Sequence, residues 1–320
     1  MLNRFFKAYL PDNAGMAIAL IATLCYSFKP IIVKLIYVHE ISSADILAWR
    51  VIISLPIYLI VGFVLWNKAR QNRRRDDFIS GSKLWVLHTI VLGALGFYVA
   101  ALLDLIGLQY ISSQLARLIL FTYPTLVAVL GWIIFRQKVS SSVTIALVLS
   151  YIGVGFIFAY DFRHLGDQVL FGSILMFLSV LAFSLYVLLS KKIIDQVGGI
   201  SFTVVAMLSS GLCILVHFLL SNQSFSGLNI STEALILIAT MTIVTTVIPS
   251  FLIAEAIALI GPQRTAIAGT VGPAMTSVAA VLVLNEAFGI SQIAGIVLVV
   301  AAISYMQKQS KPLETNSVIE

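Results

Sequence analysis

The chain has 320 residues, of which 60% are apolar and 11% charged, and its mean hydropathy is +1.02. Soluble domains carry about 25% charged residues, so this composition excludes a soluble fold. The formal net charge of +6 arises mainly at water interfaces, because most of the twenty Lys and Arg residues lie outside the apolar runs. A nucleic-acid-binding surface would instead need basic side chains gathered on one soluble face.

The N-terminal segment, residues 1–13, precedes the first apolar run. Its stretch "LNRFFKAYL" carries apolar side chains at helical spacing, so a short interfacial helix and a disordered basic tail are both open interpretations. The first apolar run is full length and lacks a small-residue cleavage site. We therefore predict that it stays in the protein as a spanning helix.

A helix needs about 20 apolar residues to cross roughly 30 Å of hydrocarbon. The runs of this kind lie near residues 14–38, 43–66, 84–108, 112–134, 140–159, 170–190, 200–220, 233–259, 263–284 and 289–306. The sequence therefore predicts an all-α membrane protein with ten transmembrane helices and no soluble domain. The polar tail, 308–320, is expected to be disordered.

The basic residues predict the orientation. With the N-terminus in the cytoplasm, fifteen Lys and Arg residues fall on cytoplasmic segments and only Arg163 falls on an outer loop. Both termini are therefore expected to be cytoplasmic. The longest loop, "NKARQNRRRDDFISGSK", is interpreted as a topology anchor; a phospholipid or partner site is the alternative.

Two sequence shifts indicate an internal repeat. A shift of 157 aligns Ser27 with Ser184, and a shift of 149 aligns Pro124 with Pro273. The first repeat would cover residues 14–159 and the second 170–307. Each repeat has five helices, and since five is odd the second must enter the membrane upside down. Inverted repeats are a recurrent plan of secondary transporters, whose substrate site lies between the halves.

Two segments carry a family resemblance. "RLILFTYPTLVAVLGWIIF" and "GPQRTAIAGTVGPAMTSVAAVLVLNE" resemble the fourth and ninth helices of EamA-type proteins in the drug/metabolite transporter superfamily. The resemblance implies ten helices in two inverted repeats around a central cavity, in a bacterial cytoplasmic (inner) membrane. It further implies movement of small solutes, which in this family include amino acids, nucleotide-linked compounds and organic phosphates.

Four cations lie inside predicted helices: Lys29, Lys34, Arg50 and Arg117. A charge near the bilayer centre costs at least about 2.5–3.5 kcal/mol, so each needs a reason. Lys34 lies near an outer helix end, where it can snorkel to the interface, and it matches the lysine that closes the first helix in the resembling family. Arg50 matches a family arginine and can be architectural. Asp104 is the one acidic neighbour by depth, so a pair with Arg50 or Arg117 is another explanation.

Lys29 has the deepest position, about 22 Å along the first helix at 1.5 Å per residue. Pro30 follows it and invites a kink, which at this depth is tolerated only against protein or a water-filled cavity. Three interpretations stay open: Lys29 binds a substrate anion, it exchanges a proton and couples transport to protons, or it is paired with Asp104 or backbone carbonyls.

The surplus of cations predicts a substrate with a carboxylate or phosphate. The candidate ligands of its negative group are Lys29, Arg50 and Arg117, and the candidate contacts of its body are Tyr26, Tyr123 and Tyr186. The candidate hinges for alternating access are Pro30, Pro124 and Pro273, with static packing kinks as the alternative.

Catalytic and cofactor motifs are missing from the sequence. There is no phosphate-cradling glycine loop, so direct use of ATP is not expected, and neither metal-ligand spacing nor a nucleophile elbow is found. We therefore predict a secondary transporter without metal or cofactor. Its partners would be a small solute, the lipid bilayer and, as open alternatives, coupling protons and a second copy. An intramembrane lipid-handling enzyme and a non-transporting sensor are the competing functions.

Overall fold

The computed structural model describes residues 14–71, 84–136, 141–197, 199–220, 230–253, 268–269 and 271–309, together with Ala256 and Leu259. The predicted N-terminal segment 1–13, most of the long basic loop and the tail beyond Gln309 lie outside these residues. Within the described ranges the backbone forms helices and their connections, with no β-strand among them. The predicted all-α fold is confirmed.

The apolar helices follow one another in the expected order. They are α1 (Ala14–Tyr37), α2 (Ser43–Gln71), α3 (Trp85–Leu108), α4 (Ser113–Phe135), α5 (Ser141–Leu165), α6 (Gln168–Val197), α7 (Gly199–Leu220), α8 (Thr232–Ile253), α9 (Gly272–Leu284) and α10 (Ile290–Gln309). The first eight are long and apolar enough to cross a membrane, and α9 and α10 contribute shorter apolar helices in the described part of the chain.

Some helices extend past the apolar runs that predicted them. Helix α2 continues five residues beyond the predicted end at 66, and α6 spans Gln168–Val197 instead of 170–190. An apolar run marks only the part of a helix that lies in hydrocarbon, whereas backbone hydrogen bonding can continue into residues that face water. Apolar composition therefore predicts the embedded length better than it predicts the helix ends.

Three helical segments begin one residue before a proline, at Lys29, Tyr123 and Gly272. Helix α1 is divided at Phe28 and α4 at Thr122, and the described segment of α9 starts after Val271. Proline suits a first helical turn, because its missing N–H has no partner there in any case. The predicted irregularities at Pro30, Pro124 and Pro273 are therefore present in the backbone.

The two halves share several local backbone features at a constant spacing. Wide π-helical turns begin at Ala94 in α3 and at Ile243 in α8, which are 149 positions apart. The segment boundaries at Thr122 and Val271 also differ by 149 positions. The residues that follow α4 and α9 both have left-handed backbone conformations, Arg136 with φ 54° and Asn285 with φ 52°, and they too lie 149 positions apart. The repeat is thus visible in the backbone as well as in the sequence.

The packing of the helices has the same symmetry. Helices α2 with α7, α4 with α9 and α5 with α10 contact each other across the two halves. The remaining main contacts between the halves come in pairs that are equivalent when the repeats are exchanged. The contact of α1 with α8 is equivalent to that of α3 with α6, and the contact of α1 with α9 to that of α4 with α6. The contact of α2 with α8 is equivalent to that of α3 with α7. Exchanging the first five helices with the last five therefore reproduces the architecture.

One hydrogen bond between the halves occurs twice. The Ser27 hydroxyl donates to the Gly272 carbonyl at 3.2 Å, and the Ser184 hydroxyl donates to the Tyr123 carbonyl at 3.4 Å. Ser184 lies 157 positions after Ser27, and Gly272 lies 149 positions after Tyr123. The two hydrogen bonds are therefore equivalent: exchanging the two repeats turns one into the other.

Apolar side chains cover much of the outer surface. Among the large ones, Leu212 is 63% exposed, Leu282 76% and Ile60 64%. Such continuous apolar exposure is unusual for a soluble monomer, and it fits a protein whose helix bundle is surrounded by lipid. The chain is therefore a multi-pass membrane protein.

A seam of small residues joins α5 to α10. A Cβ atom on Gly153 would lie 2.7 Å from the Gly295 carbonyl oxygen, and one on Gly295 would lie 2.7 Å from the Gly153 carbonyl oxygen. Ala146 and Ala302 contact each other along the same seam and are both fully buried. Small residues let membrane helices approach closely, and packing then stabilises the pair.

We expect Gly153→Leu to destabilise the protein, because the new side chain must push α10 away; overpacking of this kind costs about 1–3 kcal/mol. The matched control is Gly155→Leu, two residues along the same helix, where a Cβ would meet no described atom within 4 Å. Thermal midpoints of the detergent-solubilised variants measure the difference. Equal midpoints for the two variants would show that the seam does not set the helix spacing.

Candidate substrate site

Lys29 is held by an ion pair. It is the first residue of the second segment of α1, and its Nζ donates to Asp104 Oδ2 at 2.5 Å. The Lys29 side chain is 25% exposed and that of Asp104 12%. Of the three interpretations open for Lys29, the structure forms the pair with Asp104. Its predicted contact with substrate stays a prediction.

Arg50 is held by a backbone carbonyl. Its Nη2 donates to the Phe97 oxygen at 2.9 Å, and Phe97 lies within the wide turn of α3. Such turns interrupt the regular α-helical pattern of hydrogen bonds and recur at functional sites. This contact joins α2 to α3 about two helical turns before Asp104.

Among the described residues, the ion pair that Asp104 forms is with Lys29 and not with Arg50 or Arg117. The division of α1 at Phe28 brings the Lys29 ammonium to this carboxylate instead. Asp104 nevertheless lies close enough to both guanidinium groups to attract them electrostatically. One carboxylate therefore faces three cations.

Arg117 lies against the start of α9. A Cβ atom on Gly272 would lie 2.6 Å from Arg117 Nη2, so the guanidinium occupies space that any larger residue would fill. Arg117 Nε is buried and has no hydrogen-bond partner among the described residues. The N-terminal end of a helix carries partial positive charge. The guanidinium and the beginning of α9 together make this a region that favours an anion.

Two of the predicted tyrosines lie near Arg117. Tyr26 and Tyr123 are both close enough to its guanidinium for direct electrostatic interaction. Each is only partly buried. The structure thus brings these two tyrosines and the arginine together in one region, and their contact with a substrate stays a prediction.

Tyr186 lies at the edge of the same region in an apolar environment. It is 8% exposed, and its ring packs against Phe97 at 5.0 Å and Phe202 at 5.9 Å between ring centroids. Its hydroxyl interacts electrostatically with that of Tyr26. Most of the Tyr186 ring is therefore used in packing, and its contact with a substrate stays a prediction.

The site residues line a space inside the bundle. Tyr26, Arg50, Arg117 and Tyr123 all lie deep within the protein, far from its outer surface. All four nevertheless keep partly accessible side chains. Their depth and partial accessibility fit a hollow between the helices, and a position between the repeats is where transporters of this plan bind their solutes.

The segment boundaries of α1 and α9 meet beside this hollow. In addition to the bond from Ser27 to Gly272, the Thr276 hydroxyl donates to the Ser27 carbonyl at 3.0 Å. The ends of two interrupted helices from different repeats are thus tied together next to Arg117. The structure places Pro30, Pro124 and Pro273 at such boundaries, and their action as hinges stays a prediction.

Lys34 lies at a different place, toward the predicted outer end of α1. It borders a cavity of about 370 Å³ together with Tyr37, Glu40 and Gln109. Glu286 and Asp161 both attract it electrostatically. Its role as an interface anchor stays a prediction, but acidic neighbours already give its charge a partner in the protein.

Sequence reasoning missed several residues of the site. Tyr58 is 2% exposed, shares a 3.3 Å hydrogen bond with Ser250, and lies within electrostatic reach of Arg50 and Tyr26. Nothing in the sequence separates it from the other tyrosines. The close approach of Gly272 to Arg117 was also missed, although the next residue, Pro273, is one of the predicted hinges.

Comparison with known proteins gives a family. The EamA-like transporter family matches the chain over residues 13–159 and again over 170–306. The uncharacterized transporter YcbK of Bacillus subtilis is 27% identical over 289 residues, which cover 88% of this chain and 89% of that protein. The uncharacterized transporter sll1319 of Synechocystis sp. is 23% identical over 327 residues, covering 95% of this chain and 97% of that protein.

A solved structure has a similar fold. A crystal structure described only as that of a protein superposes with a TM-score of 0.61 at 12% identity, over 95% of this chain and all of the other. At this identity the likeness concerns the fold alone.

Proposed function

Because the chain belongs to the EamA-like transporter family, we propose that it is a secondary transporter of a small anionic or zwitterionic metabolite. Its family and its relatives' names are those of transporters rather than enzymes. Transport of this kind needs a bilayer, a solute and two alternating conformations, and it needs no ATP-binding motif. The solute would bind between the repeats.

The observation that carries the proposal is the unmatched charge of Arg117. Lys29 and Asp104 neutralise each other, and Arg50 is bonded to a neutral carbonyl. Arg117 has a buried Nε without a partner among the described residues, and it faces the start of α9. A buried charge is expensive when left unpaired. A carboxylate or phosphate of the solute would supply the missing partner, with bidentate geometry that suits a guanidinium.

Other residues would contact the rest of the solute. Tyr26 and Tyr123 border the same hollow and offer both ring surfaces and hydroxyl groups. Lys29 and Arg50 would contribute positive potential, while Asp104 would disfavour solutes with several negative charges. This balance favours a monoanion or a zwitterion over a polyanion.

Alternating access would follow from rocking of one repeat against the other. We propose residues 14–159 and 170–307 as the moving units and the segment boundaries near Pro30, Pro124 and Pro273 as the places that bend. The direct hydrogen bonds between α1 and α9 and between α6 and α4 cross from one unit to the other. They would have to lengthen or break during each cycle.

We place the protein in a bacterial cytoplasmic membrane with both termini in the cytoplasm, since fifteen basic residues then lie on cytoplasmic segments against one outside. The driving force would be exchange of solutes or co-transport of protons, and a homodimer is compatible with the fold. A proton-coupled mechanism would acidify or alkalinise the vesicle lumen during uptake, whereas exchange would require a counter-solute inside.

Uptake into proteoliposomes tests the proposal. Purified protein would be reconstituted and offered labelled monocarboxylates, phosphate esters and zwitterionic amino acids. Only a transporter moves solute across a sealed bilayer, so an enzyme or a sensor would give none. Failure of every anion and zwitterion, together with uptake of a cation, would overturn the assigned substrate class.

We expect Arg117→Gln to weaken binding of the transported anion by tenfold or more, because loss of a charge-assisted hydrogen bond costs roughly 1.5–3 kcal/mol. Arg163→Gln is the matched control, since Arg163 is exposed in the last turn of α5. Anion-dependent thermal stabilisation of both variants gives the comparison. Equal stabilisation of Arg117→Gln and the parent would remove Arg117 from the site.

A further inference from the structure

Two carboxylates hold the beginning of α4. Asp161 Oδ2 accepts the backbone N–H of Ser112 at 2.9 Å, and Glu286 Oε1 accepts the backbone N–H of Ser113 at 2.9 Å. The chemistry of the two contacts is the same, but their origin differs. Asp161 belongs to α5 of the same repeat, whereas Glu286 follows α9 and therefore reaches across from the other repeat.

A second bond crosses between the repeats at the same place. Gln114 Nε2 donates to the Ala287 carbonyl at 2.9 Å. Ser113 is fully buried and Gln114 is 2% exposed. Consecutive residues of α4 are therefore bonded to consecutive residues after α9. This end of the α4–α9 contact is closed by buried polar bonds.

The bond of Glu286 depends on residues that the repeat does not preserve. The shift of 149 places Pro262 opposite Ser113 and Gln137 opposite Glu286. Proline has no N–H to donate, and glutamine carries no charge. At the equivalent positions of the other repeat, the sequence therefore has neither the N–H donor nor the charged acceptor of this bond. The bond is a feature of one side of the protein.

We propose that Glu286 is a gating residue that latches the two repeats together at the extracytoplasmic end of the transport path. The inference rests on the proposed transport function and orientation, in which the start of α4 and the end of α9 lie on the outer side. Rocking of the repeats must separate these ends before solute can pass. The bonds from Glu286 and Gln114 to the opposite repeat hold the outer side closed until then.

A cysteine reporter on α9 tests the latch without any substrate. Cys25 and Cys213 are first replaced by Ser, and Ser277→Cys is introduced between the start of α9 and Glu286. Ser277 is 1% exposed, and a cysteine differs little from it in size. A membrane-impermeant maleimide is added to intact cells, and the labelling rate at position 277 reports opening toward the outside.

We expect Glu286→Ala to raise the labelling rate roughly tenfold, which corresponds to the loss of one hydrogen bond to a charged group. Glu286→Gln keeps an acceptor oxygen without the charge, so its rate should lie between those of the parent and Glu286→Ala. Size-exclusion profiles identify any variant that fails to fold, in which case Glu286→Gln and a Gln114→Leu variant carry the comparison.

Asp161→Ala is the matched control. It removes the same kind of bond from the neighbouring amide of the same helix start, but from within one repeat. Both alanine variants should speed amide hydrogen exchange in the first turn of α4, because each removes a cap. Only Glu286→Ala should speed labelling at position 277.

An unchanged labelling rate in Glu286→Ala would overturn the latch, and so would an equal increase in Asp161→Ala, which would reduce Glu286 to a helix cap. The outcome is independent of the proposed substrate class. If no anion is transported but labelling depends on Glu286, the latch stands and the substrate assignment falls.

Discussion

Asp104→Asn is expected to lower the free energy of unfolding by about 3 kcal/mol or more, since removing one partner of a buried ion pair leaves the other charge uncompensated. Asp104 is the direct partner of Lys29 and the nearby counter-charge for Arg50 and Arg117. The asparagine has almost the same shape as the aspartate. Its main effect is therefore to remove the one negative charge that lies near the three cations among the described residues.

The reciprocal change should be milder. In Lys29→Gln the Asp104 carboxylate loses its partner, but two guanidinium groups remain within electrostatic reach and can take over. The double variant Lys29→Gln/Asp104→Asn removes both charges, so its stability should recover toward that of the parent. The expected order of stability, with Asp104→Asn lowest, follows because three cations share one carboxylate.

Thermal unfolding of the three variants in one detergent measures the order. A double-variant cycle gives the coupling between Lys29 and Asp104 without contributions from either residue alone. If Asp104→Asn were as stable as the parent, the pair would contribute nothing to the fold. Substitution of Lys29 alone could not assign it a role in binding, because loss of transport would also reflect an unpaired Asp104.

Gly272→Ala is expected to weaken anion binding at least tenfold while the protein stays folded. The added methyl group would lie 2.6 Å from Arg117 Nη2, so the guanidinium must move away from the start of α9. Small displacements of a positioning group can cost on the order of a hundredfold in function. Alanine is otherwise the better helix former, so the backbone itself is not penalised.

Gly269→Ala is the matched control for this prediction. It lies three residues earlier in the chain, and a Cβ there would meet no atom of the described residues within 4 Å. Dissociation constants for the anion that stabilises the parent protein are measured for both variants by thermal shift. If Gly272→Ala bound that anion as tightly as Gly269→Ala does, Arg117 would not act from its position against α9.

The two predictions address different parts of one arrangement. The pair of Lys29 and Asp104 joins α1 to α3 within the first repeat, whereas Arg117 lies against α9 of the second. Stability is therefore expected to depend mainly on Asp104 and recognition mainly on Arg117. The second repeat has Tyr186 and Ala266 at the positions equivalent to Lys29 and Arg117, so these two cations have no basic counterpart at the repeated positions of the sequence.

The sequence by itself determined the all-α membrane fold, the order of the apolar helices and the positions of the irregular segments at three prolines. It could do so because these properties are local: apolar length, proline chemistry and the spacing of repeats are read within short windows. It also identified the deep cations and their single acidic neighbour, since charged residues are rare in apolar helices and their depth follows from helical rise.

Only the tertiary structure decided which of those charges are satisfied. Lys29 and Asp104 are 75 residues apart in the chain, and Ser27 and Gly272 are 245 apart. Which side chains meet across such separations depends on where α1 is divided, where the wide turn of α3 falls and how closely Gly272 lets α4 approach α9. A few ångströms in that packing decide whether a carboxylate reaches an ammonium or a guanidinium, and no sequence window contains that distance.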